Sequence, residues 1–396
     1  MKINVIDSIM GSGKTTWAIN KINNSINDKF IYITPYLDEI KRVKNKTNHS
    51  HKMHDPVYKG GSKTNHFHQM LIDGKSVCST HALLQGANQI TREALALHDY
   101  TLILDEVMDV IEQMPMTQDD IKMLFDQRLV YVEDDYLLWH PDAINYQGKF
   151  ENVKNMALNR NVIFIGERLM FWNFPVDIFK YFKEVYILTY LFDAQLQRYY
   201  YDFHDIQYTK YQINDDYQLI PFTTDKEIAD VSRIKHLINI YEGKLNRIGD
   251  NYHSLSKSWF ERHDKTMETV LKKNLVNWFN NINKGNKSEH RLWTTFKDIK
   301  ARLNGKGYSK RFVALNIRAT NDYINSSVLA YCCNRFAKPT IKLFFHKRGI
   351  AINEDLFAIS EMIQWIWRSQ IRIGEPINIY IPSQRMRELL KRYLGL

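Results

Sequence analysis

Cysteine is nearly missing from this chain: three residues in 396, at Cys78, Cys332 and Cys333. They form neither a paired zinc spacing nor a disulfide framework, so a zinc-finger domain and a disulfide-stapled scaffold are both excluded. The adjacent pair, in a stretch expected to be helical, reads as buried thiols. Proline is also scarce, at nine residues. No stretch is apolar for long enough to span a bilayer, and no repeat recurs at a short period. The chain runs straight from its first residue into a strand pattern without a signal peptide, so a cytoplasmic protein with no membrane partner is expected.

The residues that are present suit a soluble α/β protein. The hydrophobic share is 44% and the charged share 25%. At this length one core is exceeded, and two domains are expected, 1–190 and 191–396. The formal net charge of +10 suits a polyanionic partner, of which nucleic acid is the commonest.

The strongest signal begins at the eighth residue: Ser8-Ile9-Met10-Gly11-Ser12-Gly13-Lys14-Thr15-Thr16. Ile3, Val5 and Ile6 before it read as a buried strand, and Trp17 to Ile22 after it have helical spacing. Strand, glycine-rich loop and helix together make a phosphate-binding loop. Gly11 and Gly13 let successive backbone N–H groups turn toward an anion, and the helix adds its positive end. Met10, Gly11, Ser12, Gly13, Lys14, Thr15 and Thr16 are the candidate nucleotide contacts, with Lys14 on the β- and γ-phosphates and Thr15 on Mg²⁺.

The second signal is Thr101-Leu102-Ile103-Leu104-Asp105-Glu106, an apolar strand ending in two carboxylates. Asp105 suits Mg²⁺, and Glu106 suits the orientation or deprotonation of an attacking water. Downstream of a phosphate loop this pair points to an ATP hydrolase. Hydroxyls at the ends of other expected strands, Thr34 before Pro35 and Thr80 after Ser79, suit phosphate contacts with a nucleic acid. The histidines at 49, 51, 54, 66 and 68 lack ligand spacing and read as a polar surface loop rather than a metal site. Asp119 to Phe150 reads as an insertion or helical hairpin, and Val162–Gly166 and Val185–Tyr190 as strands closing the first sheet. Tyr199 to Tyr217 is an aromatic stretch, read as strand residues packed in a sheet rather than a base-stacking platform.

In the second half, Arg291–Phe296 and Phe312–Leu315 read as parallel strands, the latter running into Arg318-Ala319-Thr320-Asn321. Gln364, Arg368 and Arg372 are spaced by four, which predicts one helical face carrying a row of polar groups toward a phosphate. A basic helix with Arg385, Arg387, Lys391 and Arg392 ends the sequence.

With these residues in view, the chain resembles superfamily 2 helicases, and among them the compact helicase-like proteins of phages and mobile elements. The loop at 8–15 matches motif I, with Ser8 as its small first residue. Asp105-Glu106-Val107-Met108 stands where a DEAD or DEAH box would. Thr34-Pro35 and Thr80 look like the nucleic-acid motifs of the first lobe, Trp293-Thr294-Thr295 and Arg318–Asn321 like motifs IV and V, and Gln364…Arg368…Arg372 like motif VI. The usual Ser-Ala-Thr of motif III is replaced by Leu188-Thr189-Tyr190, and motif VI lacks its glycine.

That resemblance implies two RecA-like parallel-sheet lobes with ATP and Mg²⁺ in the cleft between them. Lys14, Glu106, Gln364, Arg368 and Arg372 would carry catalysis, one of the arginines serving as a finger. Thr34, Thr80, Thr294, Arg318 and Thr320 would contact nucleic acid, DNA ahead of RNA. The activity implied is that of an ATP-dependent translocase or helicase in phage or mobile-element replication or recombination. The altered motif III keeps open an ATP-switched replication-initiation or loader factor that works with replication proteins and never unwinds. A packaging motor shares the same two ATP motifs, but no acidic nuclease cluster accompanies them here.

Overall fold

The computed structural model describes residues 2–48, 52–262, 265–315 and 322–396. The chain divides into two compact units. Met1–Asp7, Gly13–Pro221 and Lys338–Ala351 make one, and Ser8–Ser12, Phe222–Ala337 and Ile352–Leu396 the other.

The first unit opens with strands β1 (Ile3–Asp7), β2 (Lys29–Thr34), β3 (Val77–Thr80) and β4 (Tyr100–Asp105). Each is an almost unbroken buried run, as parallel strands covered on both faces must be. Crossover helices join them. Lys14–Asn24 turns Trp17, Ala18 and Ile22 inward, and Leu37–Lys46 does the same with Ile40 and Val43. These residues share a core with Phe30, Tyr32, Ile103 and Leu188.

The chain then leaves this sheet for β5 (Ile111–Gln113), β6 (Val130–Glu133), β7 (Tyr136–Trp139), β8 (Val162–Ile165) and β9 (Leu169–Asn173). They form an antiparallel sheet in the order β5-β9-β8-β7-β6. Its core includes Leu124, Leu137, Trp139, Phe150 and Val162, with helices Gln118–Asp126 and Glu151–Leu158 packed on it. The expected insertion is therefore a β-domain that extends beyond Phe150, and it captures the strand at 162–165 that was expected in the first sheet. Tight turns explain the capture. Asp134 and Asp135 both have positive φ between β6 and β7, as do Gly166 and Glu167 between β8 and β9. Such turns fold a strand back on its chain neighbour.

Strand β10 (Phe182–Thr189) returns to the first sheet, followed by the hairpin β11 (Thr209–Ile213) and β12 (Leu219–Pro221). The sheet order is β12-β11-β1-β10-β4-β2-β3, parallel except for β12. The tyrosine-rich stretch divides: Tyr199, Tyr200 and Tyr201 lie in a helix, Leu196–Phe203, while Tyr211 lies in strand β11 as expected. Tyr199, Tyr200 and Tyr201 are all buried, which also removes them as base-stacking surfaces. Tyr200 donates its phenol to the Phe174 carbonyl at 2.7 Å.

The second unit holds β13 (Ile238–Ile240), β14 (Arg291–Thr294), β15 (Val328–Tyr331) and β16 (Ile377–Tyr380), all parallel, in the order β13-β16-β15-β14. Its aromatic core includes Trp278, Phe279, Trp293, Tyr308 and Tyr380. Phe312–Leu315, expected as a strand, makes a single bridge from Phe312 to Trp293. Cys332 and Cys333 are buried but follow β15 rather than lying in a helix. Burial pushes the Cys333 thiol up to about 12, so neither a thiolate nor a disulfide chemistry is favoured there. Two parallel sheets covered by helices give the α/β class expected from the sequence.

Candidate nucleotide site

The loop after β1 is shaped by its glycines. Gly11 has φ 83° and Gly13 φ 90°, backbone conformations in which any other residue is strained. Gly13 is the cap of helix Lys14–Asn24, whose Trp17 N–H bonds the Gly13 carbonyl at 2.9 Å. That helix has no side-chain cap and no acidic residue in its first turn. Its first N–H groups and its positive end are thereby left to an anion.

The carboxyl edge of the first sheet collects the other candidates by register. Asp7 is paired with Thr189 across β1 and β10, Leu188 with Asp105 across β10 and β4, and Thr34 with Thr80 across β2 and β3. Asp105 accepts a hydrogen bond from the Tyr32 phenol at 2.8 Å. Burial first, then the charge of Glu106, pushes the Asp105 carboxyl up to about 7, against the Tyr32 hydrogen bond and Lys14. Burial lowers the Lys14 ammonium, and Glu106, Asp7 and Asp105 pull it back toward its charged form. One cation and three carboxylates therefore act on each other at this edge. The Asp105 carboxylate and the Thr15 hydroxyl are oxygen donors of the kind a divalent metal takes.

Glu106 has φ 70°, rare for a residue of its size, and its N–H bonds the Leu188 carbonyl at 2.9 Å. Strain of this kind concentrates at functional sites. The turn beyond it is fixed by Gln197, buried, whose Oε1 accepts the Met108 N–H at 3.1 Å. Asp7 is buried as well. It accepts the Phe192 N–H at 3.0 Å and lies 3.4 Å from the Lys210 ammonium, which also reaches Asp193 at 2.9 Å. Tyr32, Gln197 and Lys210 were not legible as site residues: Tyr32 and Lys210 lie in strands that only the sheet order brings here, and Gln197 lies in helix Leu196–Phe203 and reaches the turn through the Met108 N–H.

Among the hydroxyls, Thr34 and Thr189 are fully buried, and their Oγ1 atoms have no hydrogen-bond partner among the described residues. Thr80 is half-buried at the start of helix His81–Gln85. Thr294 is fully buried, and its neighbour Thr295 bonds the Cys332 carbonyl at 3.0 Å. Arg318 and Thr320 lie outside the described residues. Among the loop side chains, Met10 and Thr16 are half-buried, and the Ser12 hydroxyl is buried without a hydrogen-bond partner among the described residues.

The helical face expected through Gln364, Arg368 and Arg372 does not form. The helix runs Glu354–Ile366 and stops at Trp367, and Gln370–Ile373 is a separate turn of 3₁₀ helix. The last turn tightens as Arg368 N–H bonds the Trp365 carbonyl at 3.2 Å, and the Ser369 hydroxyl caps the Ile366 carbonyl at 2.7 Å. Gln364 is half-buried and Arg372 exposed. Arg368 is 6% exposed and donates to the Ala314 carbonyl at 3.3 Å. The closing helix, Gln384–Leu394, is basic, but Arg385 and Arg387 are buried and bonded within the unit.

Of the clustered histidines, His49 and His51 lie outside the described residues. His66 accepts the Val57 N–H at 3.0 Å and His68 meets the Thr91 hydroxyl at 2.9 Å. No metal-holding group of three or more His, Cys, Asp or Glu occurs among the described residues, nor does a helix long and apolar enough to cross a membrane. A cavity of about 610 Å³ opens beside Met114, Met116, Phe150, Met156 and Trp172 of the antiparallel domain. It shares no lining residue with the phosphate loop or Asp105.

The fold is that of helicase-like α/β proteins. A structure described as XPD helicase matches with a TM-score of 0.52 at 11% identity, over 100% of this chain and 94% of that one. The structure of S. tokodaii Xpd4 matches equally, with a TM-score of 0.52 at 11% identity and the same coverage. Within that class, family profiles for the YonV middle domain and the YonV C-terminal Rossmann-like domain match residues 111–172 and 232–394. The chain is 46% identical over 406 aligned positions to the SPbeta prophage-derived uncharacterized protein YonV of Bacillus subtilis (strain 168), covering 99% of this chain and 98% of that protein. It belongs to the YonV family.

Proposed function

We propose that this protein is an ATP-dependent nucleic-acid translocase or helicase. The observation that carries the reading is the meeting of Lys14 with Asp105 and Glu106 at one carboxyl sheet edge, directly beyond a glycine-shaped loop and an uncapped helix. In this reading Gly11, Gly13 and the first turn of the helix seat the phosphates of ATP, with Met10, Ser12 and Thr16 alongside. Lys14 draws negative charge from the β- and γ-phosphates. Thr15 and Asp105 would hold Mg²⁺, which would supply positive charge against the phosphates. Glu106 takes the proton of the attacking water. Gln364 and either Arg368 or Arg372 remain the further catalytic candidates of this reading. The exposure of Arg372 favours it as the finger, since the Arg368 guanidinium is already engaged.

Nucleic acid is the proposed track, held through its phosphates and so in a salt-dependent manner; of the expected contacts Thr34 and Thr294 are fully buried, which leaves Thr80, Arg318 and Thr320 as the candidates. The net charge of +10 and the XPD-like fold support this. The prophage origin of the relative supports a role for DNA in phage or mobile-element replication or recombination. A second reading, an ATP-switched initiation or loader factor, is favoured by Leu188-Thr189-Tyr190 at the place of motif III.

The test is ATP hydrolysis by wild type and Lys14→Ala, alone and with single-stranded DNA, duplex DNA or RNA. Stimulation by one polymer, lost in the variant, is expected. Hydrolysis that persists in Lys14→Ala would overturn the site, and stimulation without strand displacement would select the loader.

A further inference from the structure

Sheet order gives the nucleotide site a direction. β1 has β10 and then β4 on one side, and the β11–β12 hairpin on the other. A triphosphate held by the loop with its terminal phosphate toward Asp105 and Glu106 directs its nucleoside the opposite way, over the hairpin. The turn of that hairpin carries Tyr217.

The seat of Tyr217 is unusually close. A Cβ built on Gly13 would lie 2.4 Å from both Cδ1 and Cε1 of the Tyr217 ring, so only glycine admits the ring at this distance. The backbone is specialised to put it there. Tyr217 has φ 57°, a conformation a bulky side chain adopts at a cost in strain. Asn214 holds the turn: its Oδ1 accepts the N–H groups of Asp216 at 3.1 Å and Gln218 at 2.7 Å, and its carbonyl accepts the Tyr217 N–H at 3.1 Å. The tyrosine is nonetheless 45% exposed. It is pinned at one edge against the phosphate loop and open elsewhere. A core residue would be covered, and a solvent-facing turn residue would not touch the loop.

We propose that Tyr217 is the base-recognition residue of the nucleotide site, stacking its ring on the base of the bound nucleoside triphosphate. The inference rests on the phosphate-loop reading above and adds its base subsite. Every base presents a π face, so stacking here binds nucleoside triphosphates without hydrogen-bond discrimination among their bases.

Equilibrium titrations with Mg²⁺ and either a non-hydrolysable ATP analogue or inorganic tripolyphosphate separate the base from the phosphates. The proteins to compare are wild type, Tyr217→Ala, Tyr217→Phe and Lys14→Ala. Tyr217→Ala is expected to weaken the ATP analogue about tenfold or more while leaving tripolyphosphate within about twofold, and Tyr217→Phe to bind both like wild type. Equal losses for both ligands in Tyr217→Ala would make the ring a support for the loop and overturn the proposal. So would unchanged binding of both. In either case a loss of both ligands in Lys14→Ala shows that the phosphate loop itself stands. A wild type that binds neither ligand overturns the loop reading and the base subsite together.

Discussion

The Tyr32 phenol and the Asp105 carboxylate, on neighbouring strands β2 and β4, are joined by a 2.8 Å hydrogen bond at the edge where the phosphate loop opens. Tyr32 is fully buried, so this contact aims the carboxylate by a side chain that has no other place to go. It gives one oxygen of Asp105 to the protein; the other is the one proposed above for Mg²⁺.

Tyr32→Phe removes the hydroxyl while keeping the ring in its core. Losing a group that orients a metal-binding carboxylate costs on the order of 10- to 100-fold in metal affinity. The expected readout is a rise of that order in the Mg²⁺ concentration giving half-maximal ATP hydrolysis, with an unchanged circular dichroism spectrum. An unshifted Mg²⁺ titration would remove Asp105 from the metal.

Glu106→Gln keeps the shape and removes the proposed base. Hydrolysis should fall by about 10²- to 10⁴-fold, with nucleotide affinity retained. Equal loss of hydrolysis and binding would instead assign the Glu106 carboxylate to holding Lys14 in the loop by its charge.

Arg385 tests whether the closing basic helix serves nucleic acid or the fold. Its guanidinium bonds Asp355 at 2.7 Å, Asn334 at 2.9 Å and the carbonyls of Arg335 and Glu354 at 2.7 and 3.0 Å, and it lies 4.2 Å from the centre of the Phe336 ring. Arg385→Ala strands those acceptors, a loss of about 2–4 kcal/mol in urea unfolding. A surface nucleic-acid contact would behave oppositely, with stability kept and salt-dependent binding weakened.

His204 sets a pH limit on stability. It is packed against Tyr200 and Phe203, with a 3.2 Å contact to Asn173, and burial together with the nearby Arg348 charge lowers its imidazole to about 4. The unfolded chain binds that proton near pH 6.5, so the folded state is favoured above this value. The stabilisation is lost as pH falls from about 6.5 toward 4. Urea midpoints should decline across that window, and His204→Phe should flatten the decline. An identical slope in the variant would move the effect to other groups.

The strand–loop–helix at the start and the carboxylate pair at 105–106 were legible because their information is local. Glycines permit the loop, a lysine and a threonine follow at fixed offsets, and apolar runs announce buried parallel strands. The α/β class follows from the same runs. Elsewhere local pattern was insufficient. Val162–Ile165 has the composition of a parallel core strand, yet the tight turn at Gly166 and Glu167 commits it to its antiparallel neighbour Leu169–Asn173. The four-residue spacing of Gln364, Arg368 and Arg372 promises a continuous helix, yet the chain tightens and stops at Trp367. Thr189 beside Asp7, Tyr32 beneath Asp105 and Tyr217 against Gly13 depend on which strands pair across long stretches of sequence. Strand order is decided by the burial of whole sheet faces, an energy summed over distant residues, and no short window of the sequence contains it.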